Sequence, residues 1–407
     1  MVDSRKERLI LLVLTTTSFW IILANKNKIL LKIGTINMLT QLHHLRSVFL
    51  IAFIGLFLPS CGSSTNTNQA TTTPASTIVN EETTLALPSV NQTTLTDDIL
   101  AINAVAEMGI GINLGNTLDA PNEGDWALAA EEYYIQAFKD AGFQHVRIPV
   151  TWNSHVALEA PYQINEDFLN RVEQIVDWSL DRDLYVILNV HHDDWLKKDF
   201  DSVSNRNRFD SIWLQVSDRF KDKSAKLMFE ILNEPQDLTI EQLNNLNKRA
   251  LTIIRNQTAN RLVVFAGTEY SNVDALLAIE VPDSNDEYLI GNFHSYDPWQ
   301  FAGMCLNDWS TDNDKQALKD IYQKAFDWSS TNNIPVMVNE FGVAKYDFEN
   351  PENVCEQSQR ENYIRSHVNF AKEFGISATF WDDGGSFSTY NRSENAWGAE
   401  KDILVGN

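Results

Sequence analysis

The chain has 407 residues and a formal net charge of −23, with 55 acidic against 32 basic side chains. That balance excludes nucleic acid as a partner, because a phosphate backbone needs a basic face, and it disfavours a polyanionic substrate while leaving a neutral polymer acceptable. Its 11 Trp, 11 Tyr and 21 Phe suit either core packing or a groove in which sugar rings lie flat on aromatic faces, and its three cysteines, Cys61, Cys305 and Cys355, fit neither a zinc ribbon nor a redox CxxC pair.

Two apolar stretches open the chain. Leu9 to Ala24 is interrupted by Thr15, Thr16, Thr17 and Ser18 and is short for a bilayer span, which needs about 20 apolar residues. Val48 to Leu58 follows Arg46 and leads into Leu58-Pro59-Ser60-Cys61. A basic flank, a short apolar core and a small-residue end describe a signal peptide. This ending resembles a bacterial lipoprotein box, which implies acylation of Cys61 and a secreted protein anchored to a membrane at the cell surface or the periplasmic face. Met38 is a natural start for this leader, and the segment ahead of it is then either untranslated or a separate membrane segment. Residues 1–61 are read as the leader. Residues 62–96 are rich in Ser, Thr, Asn and Gln; such a stretch buries too little apolar surface to fold and is read as a flexible tether.

From Asp97 to Asn407 the texture changes. The strand candidates are Gly111–Leu114, His145–Pro149, Tyr185–Val190, Lys226–Leu232, Leu262–Ala266, Tyr288–Phe293, Val336–Asn339 and Ala378–Trp381. Amphipathic helical stretches such as Asn165–Leu180, Ile240–Arg255 and Glu356–Phe374 lie between them. Eight strands alternating with helices predict an α/β fold, the (β/α)8 TIM barrel, over residues 97–407. A doubly wound open sheet is the alternative that the strand count disfavours.

Barrel enzymes place their chemistry where strands end and loops begin. Arg147 lies near the end of the second strand. The third ends in Asn189-Val190-His191-His192, the fourth in Leu232-Asn233-Glu234-Pro235, the sixth in Phe293-His294-Ser295-Tyr296, the seventh in Asn339-Glu340-Phe341-Gly342 and the eighth in Trp381-Asp382-Asp383. Folding alone does not account for so many polar strand ends on one rim, since each costs desolvation unless paired. Two of them carry a glutamate. Opposed carboxyl groups across a barrel mouth are what glycoside hydrolysis requires, one to protonate the leaving oxygen and one to attack C1. A lone glutamate is more often a surface salt bridge; the pair is the signal.

The segments that carry a resemblance are Met108–Trp126 (MGIGINLGNTLDAPNEGDW), His145–Trp152 (HVRIPVTW), Ile187–Asp193 (ILNVHHD), Phe229–Pro235 (FEILNEP), Phe293–Gly303 (FHSYDPWQFAG), Val338–Gly342 (VNEFG) and Phe380–Gly385 (FWDDGG). In order and spacing they resemble glycoside hydrolase family 5, the endoglucanases and mannanases. The resemblance implies Glu234 as acid/base, Glu340 as nucleophile, and Asn233 on the sugar 2-hydroxyl. It also implies Arg147, His191, His294 and Tyr296 as supports and Trp381 as the platform under the attacked sugar. His192, Asn116, Asp119 and Asp383 match positions that touch substrate.

Other signals lead elsewhere or nowhere. Gly109-Ile110-Gly111 opens like a dinucleotide loop, but Leu114 stands where the third glycine belongs. Adjacent histidines on a strand point to opposite faces, and no HExxH accompanies His191-His192, so no metal and no cofactor are expected. Trp195, Trp299 and Trp309 fall in rim loops, where each either packs or binds sugar. Cys305 and Cys355 fall in neighbouring rim loops, where an oxidising compartment would permit a bridge. The expected activity is retaining endo-β-1,4-glucanase. A β-mannanase or dual enzyme is the alternative, and a non-catalytic glycan-binding lipoprotein is the rival of another class. The expected partners are the polysaccharide and, through the anchor, a membrane; the chain is expected to act as a monomer.

Overall fold

The computed structural model describes residues 9–15, 18–25, 28–35, 87 and 89–406. Cys61, the leader's end and most of the tether lie outside the described residues. The chain divides into two units, residues 1–81 and 82–407. In the first, Leu9–Thr15, Ser18–Asn25 and Lys28–Thr35 form an antiparallel meander. The first apolar stretch, interrupted in the sequence at Thr15 to Ser18, is two paired strands that meet at Thr15 and Ser18. Among the described residues no helix is long and apolar enough to cross a membrane.

The second unit is a closed barrel of eight parallel strands. They are β1 (Ile110–Asn113), β2 (His145–Ile148), β3 (Tyr185–Asn189), β4 (Leu227–Glu230), β5 (Leu262–Ala266), β6 (Leu289–Ser295), β7 (Val336–Phe341) and β8 (Ser377–Phe380). Neighbours in sequence are neighbours in the sheet, and β8 pairs back onto β1. This is the (β/α)8 barrel that the sequence predicts, and closure rules out the open sheet. Every predicted strand is present, with ends moved by up to two residues.

The helices form where an apolar stripe recurs at helical spacing and a cap is at hand. Glu166–Leu180 buries Leu169, Val172, Ile175 and Val176 against the strands, and the Asn165 side chain accepts from the Phe168 amide. Ile240–Gln257 starts in a capping box built by Thr239 and Gln242, which satisfies two otherwise orphaned amides. The tether's last residues already engage the barrel. Thr93 pairs with Thr258, and the Leu95 amide donates to Asn260 Oδ1 at 2.8 Å. A polar segment can dock in this way through backbone groups without an apolar face of its own.

Inside the barrel the lower half is apolar. The short helix Ala101–Met108 plugs the bottom, packing Ala101, Ala104, Val105 and Met108 against Ile187, Met228, Leu262, Val264, Ile290 and Met337. Above this floor the interior turns polar. His145 on β2 reaches over β1 to β8, with Nδ1 at 3.0 Å from the Met108 carbonyl and Nε2 at 2.7 Å from Thr379 Oγ1. Gly111 makes room for it: a Cβ there would come within 2.2 Å of the imidazole.

Candidate active site

The upper layer is organised by Arg147, which is fully buried. Its guanidinium donates through Nε and Nη2 to Glu230 at 2.6 and 2.7 Å, through Nη1 to Glu340 at 2.6 Å and Asn113 at 2.9 Å, and through Nη2 to Asn233 Oδ1 at 2.7 Å. All five N–H donors of the fork are thereby used. Burial works against the Arg147 cation, but the flanking Glu230 and Glu340 carboxylates outweigh it and raise its pKa. Glu230 also accepts from Asn339 Nδ2 at 3.0 Å, so its charge is satisfied in a dry interior.

Glu340 belongs to β7. Its strand slips register against β6 between Val338 and Glu340. Successive residues of a regular strand face opposite sides. The irregularity lets both Asn339, bonded to Glu230, and Glu340, bonded to Arg147, point inward. The other Glu340 oxygen accepts from Tyr296 at 2.9 Å. Burial, then the Glu340 and Glu234 charges, push the Tyr296 phenol well above its ordinary value, so it serves as a donor.

Glu234 follows β4 with a left-handed φ of 43°. Its Oε1 lies 3.1 Å from His294 Nδ1, and the same nitrogen is 3.7 Å from Glu340 Oε2. Burial disfavours the His294 cation, but Glu340 and the bond to Glu234 more than offset that and raise its pKa. An oxygen of Glu234 and an oxygen of Glu340 come within 4.8 Å of each other.

These residues open onto a cleft of about 620 Å³ lined also by His191, His192, Asn233 and Trp381. The ring of Trp381 is parallel to that of His191, with centroids 5.9 Å apart. The state of His191 follows from its neighbours. Asn189 Oδ1 accepts from the Val150 amide at 3.1 Å, which orients the carboxamide, and Asn189 Nδ2 then faces His191 Nδ1 at 3.1 Å. His191 Nδ1 must accept, so Nε2 carries the proton. That removes its lone pair from any metal, although Asp119, His191 and His192 gather within 4.8 Å. By the same logic Asn233 spends its oxygen on Arg147 and keeps its amide N–H for a ligand.

The cleft thus gathers Glu234, Glu340, His191, His192, Asn233, His294, Tyr296 and Trp381, with Arg147 directly beneath. Three expected substrate contacts fall outside its lining. Asp119 is buried, accepts from the Asn116 and Thr117 amides at 3.0 and 2.7 Å, and has its pKa raised to about 6 by burial. Asn116, half-buried with φ of 55°, belongs to that same turn. Asp383 turns into its own loop, accepting from the Gly385 and Phe387 amides at 2.7 and 3.0 Å. Short acidic side chains beside tight turns are captured by the nearest backbone amides.

The rim tryptophans separate. Trp299 is exposed and lines the cleft. Trp195 packs its loop, held by Asp193 at 3.0 Å with the Arg208 guanidinium 4.4 Å above its ring. Trp309 is buried against Phe301 and Tyr363. Cys305 and Cys355 form a disulfide, with Cα atoms 4.6 Å apart. Sequence reasoning missed Glu230 and Asn113 and noted Asn339 only as a strand end. Their signal was present: a polar residue at an inward position of a strand that is otherwise apolar.

A parallel barrel whose mouth holds two such glutamates has the architecture of carboxyl-pair glycoside hydrolases. Within that class, the profile of Cellulase (glycosyl hydrolase family 5) matches residues 110–386, and the chain belongs to this family. Endoglucanase H of Acetivibrio thermocellus is 41% identical over 303 residues, covering 73% of this chain and 32% of that protein. Endoglucanase B of Paenibacillus lautus is 34% identical over 320 residues, covering 72% and 55%. The chain therefore spans between a third and about half of these relatives' own lengths. The crystal structure of Thermotoga maritima Cel5A in complex with mannotriose superposes with a TM-score of 0.70 at 29% identity, covering 75% of this chain and 100% of that one.

Proposed function

We propose that this protein is a retaining endo-β-1,4-glucanase with Glu340 as nucleophile and Glu234 as acid/base. The observation that carries the reading is the approach of the two carboxyl groups to within 4.8 Å, measured between an oxygen of each. Double displacement requires carboxyl groups about 5–5.5 Å apart, whereas inversion needs about 6.5–9.5 Å to admit a water. Glu340 attacks C1, and the C1–O bond breaks toward the leaving oxygen, which takes the proton of Glu234. A water then gives its proton to Glu234 and attacks C1, releasing Glu340 as a carboxylate. Arg147 and Tyr296 orient the nucleophile, and His294 bridges the pair. Asn233 Nδ2 and His191 Nε2 offer donors to sugar hydroxyls.

The relatives named endoglucanase favour a glucan. The mannotriose complex of Thermotoga maritima Cel5A favours a second reading, a dual glucan/mannan enzyme. A higher rate on pure mannan than on every glucan would select it. The leader and its Leu58-Pro59-Ser60-Cys61 end support anchoring through acylated Cys61, where two or more acyl chains give stable attachment; Cys61→Ala should then move activity from the membrane fraction to the soluble one.

The decisive test uses Glu234→Ala. On an aryl glycoside whose leaving group needs no proton, the variant should form the glycosyl-enzyme and stall. Azide should restart it and yield the β-glycosyl azide. An α-azide would mean the roles of Glu234 and Glu340 are exchanged, and inverted product from the intact enzyme would exclude double displacement.

A further inference from the structure

The two sides of the cleft differ in charge. Trp381 follows β8, and around an eight-stranded ring the strand opposite β8 is β4, which bears Glu234. If Glu234 protonates the leaving oxygen, the departing part of the chain lies on the β4–β5 side. There the loop after β5 brings Glu269, Tyr270 and Asn272 into the lining, and among the described residues no lysine or arginine lines the cleft.

Glu269 is held there by an unusual piece of backbone. Glu269, Tyr270 and Ser271 have φ of 52°, 58° and 59°, three successive left-handed residues, none of them glycine. That conformation is unfavourable for each and persists only where the surroundings impose it. The Ser271 amide donates to the Thr268 carbonyl at 2.9 Å. Asn272 Nδ2 donates to the Glu269 carbonyl at 3.1 Å, while its Oδ1 caps the next helix at the Ala275 amide, 2.9 Å away. At the loop's start, a Cβ on Gly267 would come within 2.2 Å of the Ala275 backbone, so the route of the chain is fixed by close approach to that helix.

Two of the other acids of the cleft have partners. Glu340 is paired with Arg147 and Glu234 with His294, whereas Asp297, which follows β6, is exposed. Glu269 is exposed, and among the described residues its carboxylate has no cationic partner. It is the uncompensated charge on the loop after β5, with Asp297 a second acid on the loop after β6.

We propose that Glu269 makes the leaving-group half of the cleft select uncharged β-glucan chains against chains bearing carboxylates. The inference rests on the proposed glucanase reading. A polymer carrying carboxymethyl or uronate groups would meet Glu269 at short range, where like charges exclude wrong partners. A neutral polymer of the same backbone would not. A charge at the open rim is screened by salt, so the discrimination should be modest and salt-dependent.

The test compares kcat/KM on carboxymethylcellulose with kcat/KM on hydroxyethylcellulose, which share a backbone and differ in charge. It is run at about 10 mM and about 1 M salt, between which the Debye length falls from ~30 to ~3 Å. For Glu269→Gln the ratio of the anionic to the neutral polymer should rise about 3–10-fold at low salt, as expected for removal of a rim charge, and converge with that of the parent at high salt. Glu269→Lys should raise it further. A low-salt ratio that neither substitution moves would overturn the inference. So would a rise that survives high salt, which would point to shape and not charge. Absence of hydrolysis of hydroxyethylcellulose and lichenan by the parent protein would instead overturn the glucanase reading, and the inference with it.

Discussion

The floor and the mouth of the barrel are built from the same eight strands by opposite rules. The floor is a plug of Ile187, Met228, Leu262, Ile290 and Met337 against one helix. It holds no charge and its contribution is burial. The mouth sequesters Arg147, Glu230 and Glu340, groups that fold at a desolvation penalty and offset it only while no buried charge is left without a counter-charge. It also contains the left-handed backbone of Glu234. The difference shows where stability is concentrated and where it is spent on geometry. Mutations in the two layers should therefore fail in different ways.

The largest separation is expected from Glu340→Ala. Activity should fall on the order of 10⁴-fold or more, as when one member of a cooperating catalytic set is removed. Arg147 keeps Glu230 as its partner, so the unfolding free energy should change by no more than about 1 kcal/mol or even rise, since a strained site is being relieved. Chemical denaturation beside a reducing-sugar assay measures both. A large loss of stability would erase the contrast between the layers.

Arg147→Met should damage both properties. It leaves two buried carboxylates without their shared cation, which costs about 3–5 kcal/mol in comparable buried pairs, and it releases Glu340. A variant that stays as stable as the parent would mean that the mouth is wetter than its burial implies.

Met337→Ala, at the floor, should cost about 2–4 kcal/mol through a cavity and leave kcat per folded molecule as it was. A kcat that falls in proportion to stability would show the floor to be part of the catalytic positioning.

The smallest expected effect is in pH dependence, and its sign differs between His145, just above the floor, and His294, at the mouth. Burial lowers the pKa of His145 from 6.5 to about 4. Between those values the unfolded chain holds a proton there that the folded chain lacks, so stability falls as the pH drops from 6.5 toward 4. His294 is shifted the other way. Its contribution is fully present below pH 6.5 and is lost as the pH rises through its raised folded value. Denaturation curves across this range should be flatter on the acid side for His145→Gln and on the alkaline side for His294→Gln. Parallel curves for parent and variants would refute the assignment of these slopes.

Much of this was already readable along the chain. Alternation of strand and helix yields the barrel because a strand buried on both faces and a helix with one apolar stripe can satisfy each other in few ways. Asn233-Glu234-Pro235 and Asn339-Glu340-Phe341 could be located because barrel chemistry sits at strand ends. Glu230 was not found in this way. It is the last residue of β4 but falls inside the longer strand that the sequence predicts, where it is one residue of an apolar run; only barrel closure brings Arg147 to it from β2.

The sequence by itself determined the architecture, the identity of the two opposed glutamates and the excess of acid over base, since these depend on periodicity, spacing and composition, which survive without coordinates. The tertiary structure alone decided which polar groups face the cleft and which face their own loops. It separated Asp119 and Asp383 from His191 and Asn233, Trp195 from Trp299, and the paired acids from Glu269. It also joined Cys305 to Cys355. The physical reason is that a side chain's role is set by the partners within a few ångströms of it, and in a closed barrel those partners come from strands far apart in the chain.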